Sequence, residues 1–435
     1  MRILRLRAYY DPEKTAGIHL DHDLSEAFMN NGIYYISYTP FPTRGVSKDI
    51  KNEYKSKMVE TLYNGYTVIN RFAMIDEGRN PIQRAFRYLA CSIKEYRLGS
   101  KEKDIDIVYS SSTPPTQGML SALVAKKLSK KYGRKVPFVY NLQDIFPDSL
   151  VNVGMTKKGS ILWRIGSLIE NYTYNNADRI IVISEGFKRN IMDKGVTEEK
   201  ITVVSNWVDL DSVHPIRRED NSLFDELGID RNRFIVLYAG NLGEAQGAEV
   251  ILDAAKALSG EKNIQFVVFG GGAKYLDFKN RVKKENLDNV FVTDLQPQER
   301  VPEVYSMGNV ALITCKPGTG NSGMPSKTWS IMACNTPIIA SFDTESDLAT
   351  ILNNSGSGAC VEPGDAIALS KLIMRYYTDL KNGALHVGDS RQYAIDLASK
   401  SICVQKYIDT LINSLNGVDN NSDSFNNIEA QEVDE

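Results

Sequence analysis

Strand-length apolar runs alternate with amphipathic segments along nearly the whole chain, and the alternation starts twice. In the first half, Arg2–Arg7, Tyr34–Thr39, Tyr66–Phe72, Asp106–Ser110, Pro137–Asn141, Arg179–Ser184 and Ile201–Ser205 read as strands. Between them, Leu20–Asn31, Pro81–Tyr96, Gln117–Lys131 and Ile161–Asn175 carry apolar residues at three- and four-residue spacing, the mark of helices lying on a core. Strand–helix–strand succession requires right-handed crossovers and a parallel sheet.

The pattern restarts after Asp209–Arg218, a charged stretch with Pro215 that reads as a linker. Phe234–Ala239, Ile264–Phe269, Val290–Val292, Val310–Thr314, Pro337–Ser341 and Ala359–Val361 are the second strand set. Glu249–Ser259, Asp277–Glu285, Pro302–Met307, Pro325–Cys334 and Ala366–Tyr377 are its helices. The fold class is therefore α/β, with two Rossmann-like doubly wound domains, residues 1–210 and 211–388, facing across a cleft. Such sheets bind ligands at the carboxyl ends of their strands. The tail, residues 416–435, is acidic, without a basic residue, and rich in asparagine and serine, so it is expected to be disordered.

Composition removes several other classes. A formal net charge of -3 argues against nucleic acid as partner. The five cysteines are scattered, with no CxxC pair, which supports neither a disulfide framework nor a cysteine zinc site. No apolar run reaches the roughly 18 residues that span a bilayer. Met1–Tyr10 alternates Arg2, Arg5 and Arg7 with apolar residues, as a first strand does and a signal peptide does not. A reduced, cytoplasmic protein is the simplest reading.

Three small-residue loops end strands in the second half. Ala239-Gly240-Asn241-Leu242-Gly243 precedes a helix, where free N–H groups attract anions. Phe269-Gly270-Gly271-Gly272 is followed by Lys274. Neither fits GxGxxG, which disfavours a dinucleotide oxidoreductase. Gly318-Thr319-Gly320-Asn321-Ser322-Gly323 leads into Met324-Pro325-Ser326-Lys327, placing Lys327 at a helix start where a cation suits a diphosphate. Gly240, Asn241, Gly243, Gly271, Lys274, Ser322, Ser326 and Lys327 are the candidate donor-binding residues.

Five segments carry a family resemblance: ENYTYNNADRIIVISE (170–185), VVSNWVD (203–209), LYAGNLGEAQG (237–247), MPSKTWSIMACNTPIIAS (324–341) and GACVEPGD (358–365). Together they resemble the retaining family 4 glycosyltransferases of GT-B fold. NLQDIFPD (141–148) is most similar to the branch of L-fucosamine transferases and related bacterial envelope-polysaccharide enzymes. The resemblance implies a nucleotide-sugar donor on the C-terminal domain and an acceptor on the N-terminal one. It also implies that the anomeric configuration is kept without a covalent nucleophile, and that helices in residues 389–415 pack back across the domains. The family's paired glutamates fall on Ser322 and Ser330, and its basic pair after the first glycine loop on Glu244 and Gln246. Lys327, with Lys274 as second candidate, is left to neutralise the leaving diphosphate.

On the acceptor side, Asp144 is the candidate catalytic residue, binding sugar hydroxyls or assisting proton loss. Asp148, just before Ser149, suits a helix cap as well as an acceptor contact. His22 is a further acceptor-side candidate. Asp21-His22-Asp23, Asp104-Ile105-Asp106 and Asp209-Leu210-Asp211 match DxD, a pattern that recurs by chance, so no metal and no cofactor is expected. The expected activity is transfer of an N-acetylated or deoxy amino sugar from a UDP donor to a lipid-linked oligosaccharide. A nucleotide-sugar 2-epimerase and a non-catalytic nucleotide-sugar-binding protein are the alternatives. Lys126, Lys127, Lys130, Lys131, Arg134 and Lys135, with the segments Arg84–Arg97 and Lys157–Ile169, suggest peripheral contact with an anionic membrane on its cytoplasmic face.

Overall fold

A computed structural model describes residues 1–13, 17–76, 81–152, 154–320 and 323–425. The chain divides into two compact units. The first takes Met1–Val151, Thr156–Asn206 and the C-terminal segment from Cys403; the second takes Trp207–Ile402 with Asn152–Met155.

The sheet of the first unit contains β1 (Arg2–Leu6), β2 (Tyr34–Pro40), β3 (Val59–Leu62), β4 (Thr67–Phe72), β5 (Ile107–Ser111), β6 (Phe138–Leu142), β7 (Arg179–Val182) and β8 (Ile201–Val203). Their order is β3-β4-β2-β1-β5-β6-β7-β8, and the pairings among described residues are parallel except that of β3 with β4. β3 was absent from the strand pattern of the sequence. None of its four residues is buried, so it carries no apolar face to betray it.

The second sheet contains β9 (Phe234–Asn241), β10 (Ile264–Gly271), β11 (Val290–Asp294), β12 (Val310–Thr314), β13 (Ile338–Ser341) and β14 (Gly358–Val361), in the order β11-β10-β9-β12-β13-β14. Chain order runs outward one way from β9 through β11, then the other way from β12, so the switch point lies between β9 and β12. β9 is buried from Phe234 to Ala239 because helices cover both faces of a parallel sheet, and its core partners include Phe266, Leu312 and Leu369. The β9–β10 register, Ile264 opposite Phe234 through Gly271 opposite Asn241, brings two of the glycine loops level.

Helix starts follow local chemistry. Ser160, Ser184 and Ser346 each accept a hydrogen bond from the backbone N–H three residues on, as do Asp365 and Asp389. The stretch expected as a linker is fastened to the second unit. Arg391 donates to the carbonyls of Leu210, Val213 and Ala333, and Arg218 donates to those of Arg231, Arg233 and Met307. The helix expected from Pro325 begins at Lys327, with Ser326 as its flanking residue.

Near the end of the chain, helix Ser390–Ala398 packs on helix Lys327–Ala333. Helix Lys400–Phe425 follows, with Tyr407 and Leu411 buried. It runs through the first part of the 416–435 tail, since extending a formed helix costs far less than nucleating one. Residues 426–435 lie outside the described residues.

Candidate functional site

In the second unit, chemistry collects at the carboxyl ends of β9, β10 and β12. Gly240 has φ +150°, and a Cβ there would lie 3.1 Å from the Lys327 ammonium. Lys327 donates to the Ala239 carbonyl at 3.2 Å and lies over the Tyr238 ring, 4.1 Å from its centroid. Tyr238 is itself held by donating to the Asn241 carbonyl at 2.8 Å. Among the described residues Lys327 has no carboxylate partner. Burial lowers its pKa to about 8, so it keeps most of its charge at neutral pH. An ammonium held by a carbonyl and a ring, without a counter-charge, is what an anion would complete.

The glycines of the second loop serve the first. Gly272 has φ +108°, and a Cβ there would meet the Asn241 side chain, so the Asn241 loop occupies that space. The Gly271 carbonyl accepts the Leu242 N–H at 2.6 Å. Gln246 accepts the Gly243 N–H at 3.2 Å, fixing the turn from inside. Gly243, Asn241 and Gly271 thus form one latched turn beside Lys327.

Lys274 differs from Lys327. It pairs with Glu244 at 2.7 Å and Glu249 at 3.1 Å, and these hydrogen bonds raise its pKa. Ser326 is exposed and caps nothing with its side chain. Ser322 lies outside the described residues. A residue not singled out from sequence, Asp343 after β13, accepts the N–H groups of Gly318 and Gly320 at 2.9 and 2.7 Å and anchors the third loop. A lone aspartate after a strand gives no signal until the loop that it holds is known.

In the first unit the switch point lies between β1 and β5. Gln143 and Asp144, just beyond β6, both donate their N–H to Ser112 Oγ at 3.0 Å. Gln143 is also held by its side chain, donating to Asn141 Oδ1 at 2.8 Å and accepting from Asn206 Nδ2 at 2.9 Å. The backbone is thereby fixed while the Asp144 carboxylate stays exposed. Its pKa is raised by the surrounding protein, against a hydrogen bond from Ser149.

Asp148 does other work, pairing at 2.8 Å with Lys194, which also reaches Glu170 at 2.8 Å. His22 Nδ1 lies 2.8 Å from the Tyr63 hydroxyl. Beside it, Asp21 pairs with the buried Arg5 and Arg7; burial pushes its pKa up, but the two guanidiniums outweigh that and hold it low. One carboxylate in each of the other DxD stretches is also engaged. Asp106 pairs with Arg134, and Asp209 caps the N–H groups of Asp211 and Ser212. Sequence reasoning missed the buried Arg5–Asp21–Arg7 group, because charged residues in a first strand read as its solvent face.

Among known proteins, the family model for Glycosyltransferase Family 4 matches residues 22–212, and that for Glycosyl transferases group 1 matches residues 219–385. A Pseudomonas aeruginosa protein named a probable glycosyltransferase, WbjE, is 28% identical over 70% of this chain and 72% of its own. WcaI of Escherichia coli, named for colanic acid biosynthesis as a glycosyl transferase, is 26% identical over 63% of this chain and 67% of its own. Among solved structures, a sucrose-phosphate synthase from Thermosynechococcus elongatus superposes with TM-score 0.73 at 17% identity, covering 96% of this chain and 99% of that one. Anabaena HepE, solved in complex with UDP, superposes with TM-score 0.69 at 15% identity, covering 95% of this chain and 100% of that one. With two family models covering most of the chain and two doubly wound sheets to match, the chain belongs to the group 1 and family 4 type of glycosyltransferases and has the GT-B fold.

Proposed function

We propose that this glycosyltransferase moves an N-acetylated or deoxy amino sugar, with retention, from a UDP-linked donor to a lipid-linked saccharide of a bacterial surface polysaccharide. The observation that carries the reading is the Lys327 ammonium beside Gly240, lacking a carboxylate partner among the described residues. There it neutralises charge that grows on the departing diphosphate, the main demand of a transfer without covalent intermediate. The donor's own phosphate oxygen takes the acceptor proton, and Asp144 binds acceptor hydroxyls. The names of WbjE and WcaI support the polysaccharide context, and the UDP complex of HepE supports the nucleotide.

The acceptor's lipid places the reaction at a membrane surface. No helix among the described residues is long and apolar enough to cross a membrane. Two helices of the first unit instead present apolar stripes to solvent. Helix Pro81–Gly99 exposes Phe86 (66%), Leu89 and Ile93; helix Ile161–Asn176 exposes Ile161 (79%), Leu162, Ile165 and Leu168 (69%). Helix Gln117–Tyr132 packs against both and carries Lys126, Lys127, Lys130 and Lys131. Of the basic cluster read from sequence, Arg134 and Lys135 are paired with Asp106 and Asp178. Lys131 donates to the Lys101 and Glu102 carbonyls, so Lys126, Lys127 and Lys130 are the lysines of the helix that remain to meet anionic headgroups.

A thermal-shift screen against UDP-, GDP-, ADP- and TDP-sugars, followed by NMR of the product's anomeric carbon, tests the proposal. Stabilisation by a UDP-sugar and a product with the donor's configuration are expected. No stabilisation by any donor, or inversion, overturns it.

A further inference from the structure

Glu244 stands immediately after Gly243, on the single turn Glu244–Gln246 that leaves β9. Its two carboxylate oxygens each hold a different lysine: Oε2 lies 2.7 Å from Lys274 Nζ, and Oε1 meets Lys316 Nζ. Lys274 follows β10, and Lys316 follows β12. These strands flank β9 on its two sides, so one carboxylate gathers cations from both sides of the switch point.

Resting on the donor reading above, we propose that Glu244 is a built-in stand-in for phosphate. It occupies the seat between Lys274 and Lys316, and the nucleotide-sugar's diphosphate displaces it and takes both lysines as ligands, alongside Lys327.

The main chain at both lysines is already fixed to the β9 turn. The Lys274 N–H donates to the Leu242 carbonyl and the Lys316 N–H to that of Ala245, each at 2.9 Å. The ammonium groups are therefore delivered to one place whatever the anion between them. Glu249, 3.1 Å from Lys274, keeps that lysine oriented when Glu244 leaves. Glu244 itself can leave. Its side chain is 55% exposed, so rotation into water costs no buried charge, and exposed ion pairs are weak. A phosphate offers the same lysines more oxygens and more charge than a carboxylate does. Hydrogen bonds from Lys274 and Lys316 hold the Glu244 carboxyl down at about 2, so the seat is negatively filled at every working pH. A resident carboxylate of this kind keeps the two lysines soluble and ordered while weakening the grip on any anion that must expel it.

If Glu244 only cements the turn, removing its charge loosens the site and weakens ligand binding. If it is a displaced stand-in, removal strengthens binding, and the two readings differ in sign. Calorimetry with UDP, GDP, ADP and TDP is performed on the wild type, Glu244→Gln, Lys274→Gln, Lys316→Gln, and Glu244→Gln in the Lys274→Gln/Lys316→Gln background. Thermal melts establish that each variant is folded.

For the nucleotide that binds, Glu244→Gln is expected to tighten affinity about tenfold and each lysine variant to weaken it about tenfold, the scale of one hydrogen bond to a charged group. In the double-lysine background Glu244→Gln should change nothing, because its effect passes through those lysines. Binding by the wild type that is unchanged or weakened in Glu244→Gln, or indifferent to both lysines, overturns the stand-in and leaves the donor reading intact. Binding of none of the four nucleotides by either the wild type or Glu244→Gln overturns both.

Discussion

The Lys327 ammonium lies 4.1 Å from the centre of the Tyr238 ring, and the Tyr238 hydroxyl in turn donates to the Asn241 carbonyl at 2.8 Å. One side chain thus ties the candidate phosphate-binding cation to the turn that shapes its site. Lys327→Ala is expected to weaken UDP binding by about 1.5–3 kcal/mol, the worth of a hydrogen bond to a charged group. The lysine's pKa of about 8 adds a pH signature. A bound diphosphate favours the protonated form, so binding takes up protons near pH 8 and weakens as pH rises further. Calorimetry in buffers of different ionisation enthalpy reads this directly. Equal affinity in Lys327→Ala, or no proton uptake in the wild type, counts against the assignment.

Asp144 is exposed on a backbone pinned by Ser112, whereas Asp148 is committed to Lys194. Asp144→Asn should lower turnover about tenfold or more, the scale of a hydrogen bond from an acceptor hydroxyl to a charged group, and leave UDP affinity unchanged. Asp148→Asn should lower the melting temperature instead. Wild-type turnover in a folded Asp144→Asn variant would make Asp144 structural.

Glu95 is fully buried on helix Pro81–Gly99, where burial raises its pKa to about 8 against hydrogen bonds from Gln117 and Cys91. In the unfolded chain the carboxyl ionises near 4.5, while in the folded protein it stays protonated far longer. Its contribution to stability is complete below pH 4.5 and is lost as pH rises toward 8. Urea unfolding should show a midpoint that falls between pH 5 and pH 8, and falls less in Glu95→Gln. Identical pH slopes for the two proteins would show that Glu95 ionises normally.

The apolar stripes of helices Pro81–Gly99 and Ile161–Asn176 give a membrane prediction with two separable parts. Phe86→Ser with Leu168→Ser should reduce cosedimentation with vesicles at any salt, because it removes apolar anchoring. Neutralising Lys126, Lys127 and Lys130 should reduce binding to anionic vesicles at low salt only. Binding indifferent to both sets of changes would exclude this face.

The sequence by itself determined the two sheets. All six strands of the second domain and seven of the first were legible, because a parallel sheet buried on both faces needs continuous apolar runs that stand out between amphipathic helices. It also marked Gly240 and Lys327, since a glycine turn after a strand and a lysine at a helix start are local features. Only the tertiary structure decided which cations are free. Lys274 and Lys327 look alike in sequence, yet Lys274 is neutralised by Glu244 and Glu249, 30 and 25 residues away in sequence, while Lys327 meets a carbonyl and a ring. The same holds for Asp21 and Asp148, whose arginine and lysine partners come from other elements. Backbone periodicity is written residue by residue along the chain. Charge pairing depends on distances of a few ångströms between segments that the chain order leaves far apart, and it is settled only when the sheet brings them side by side.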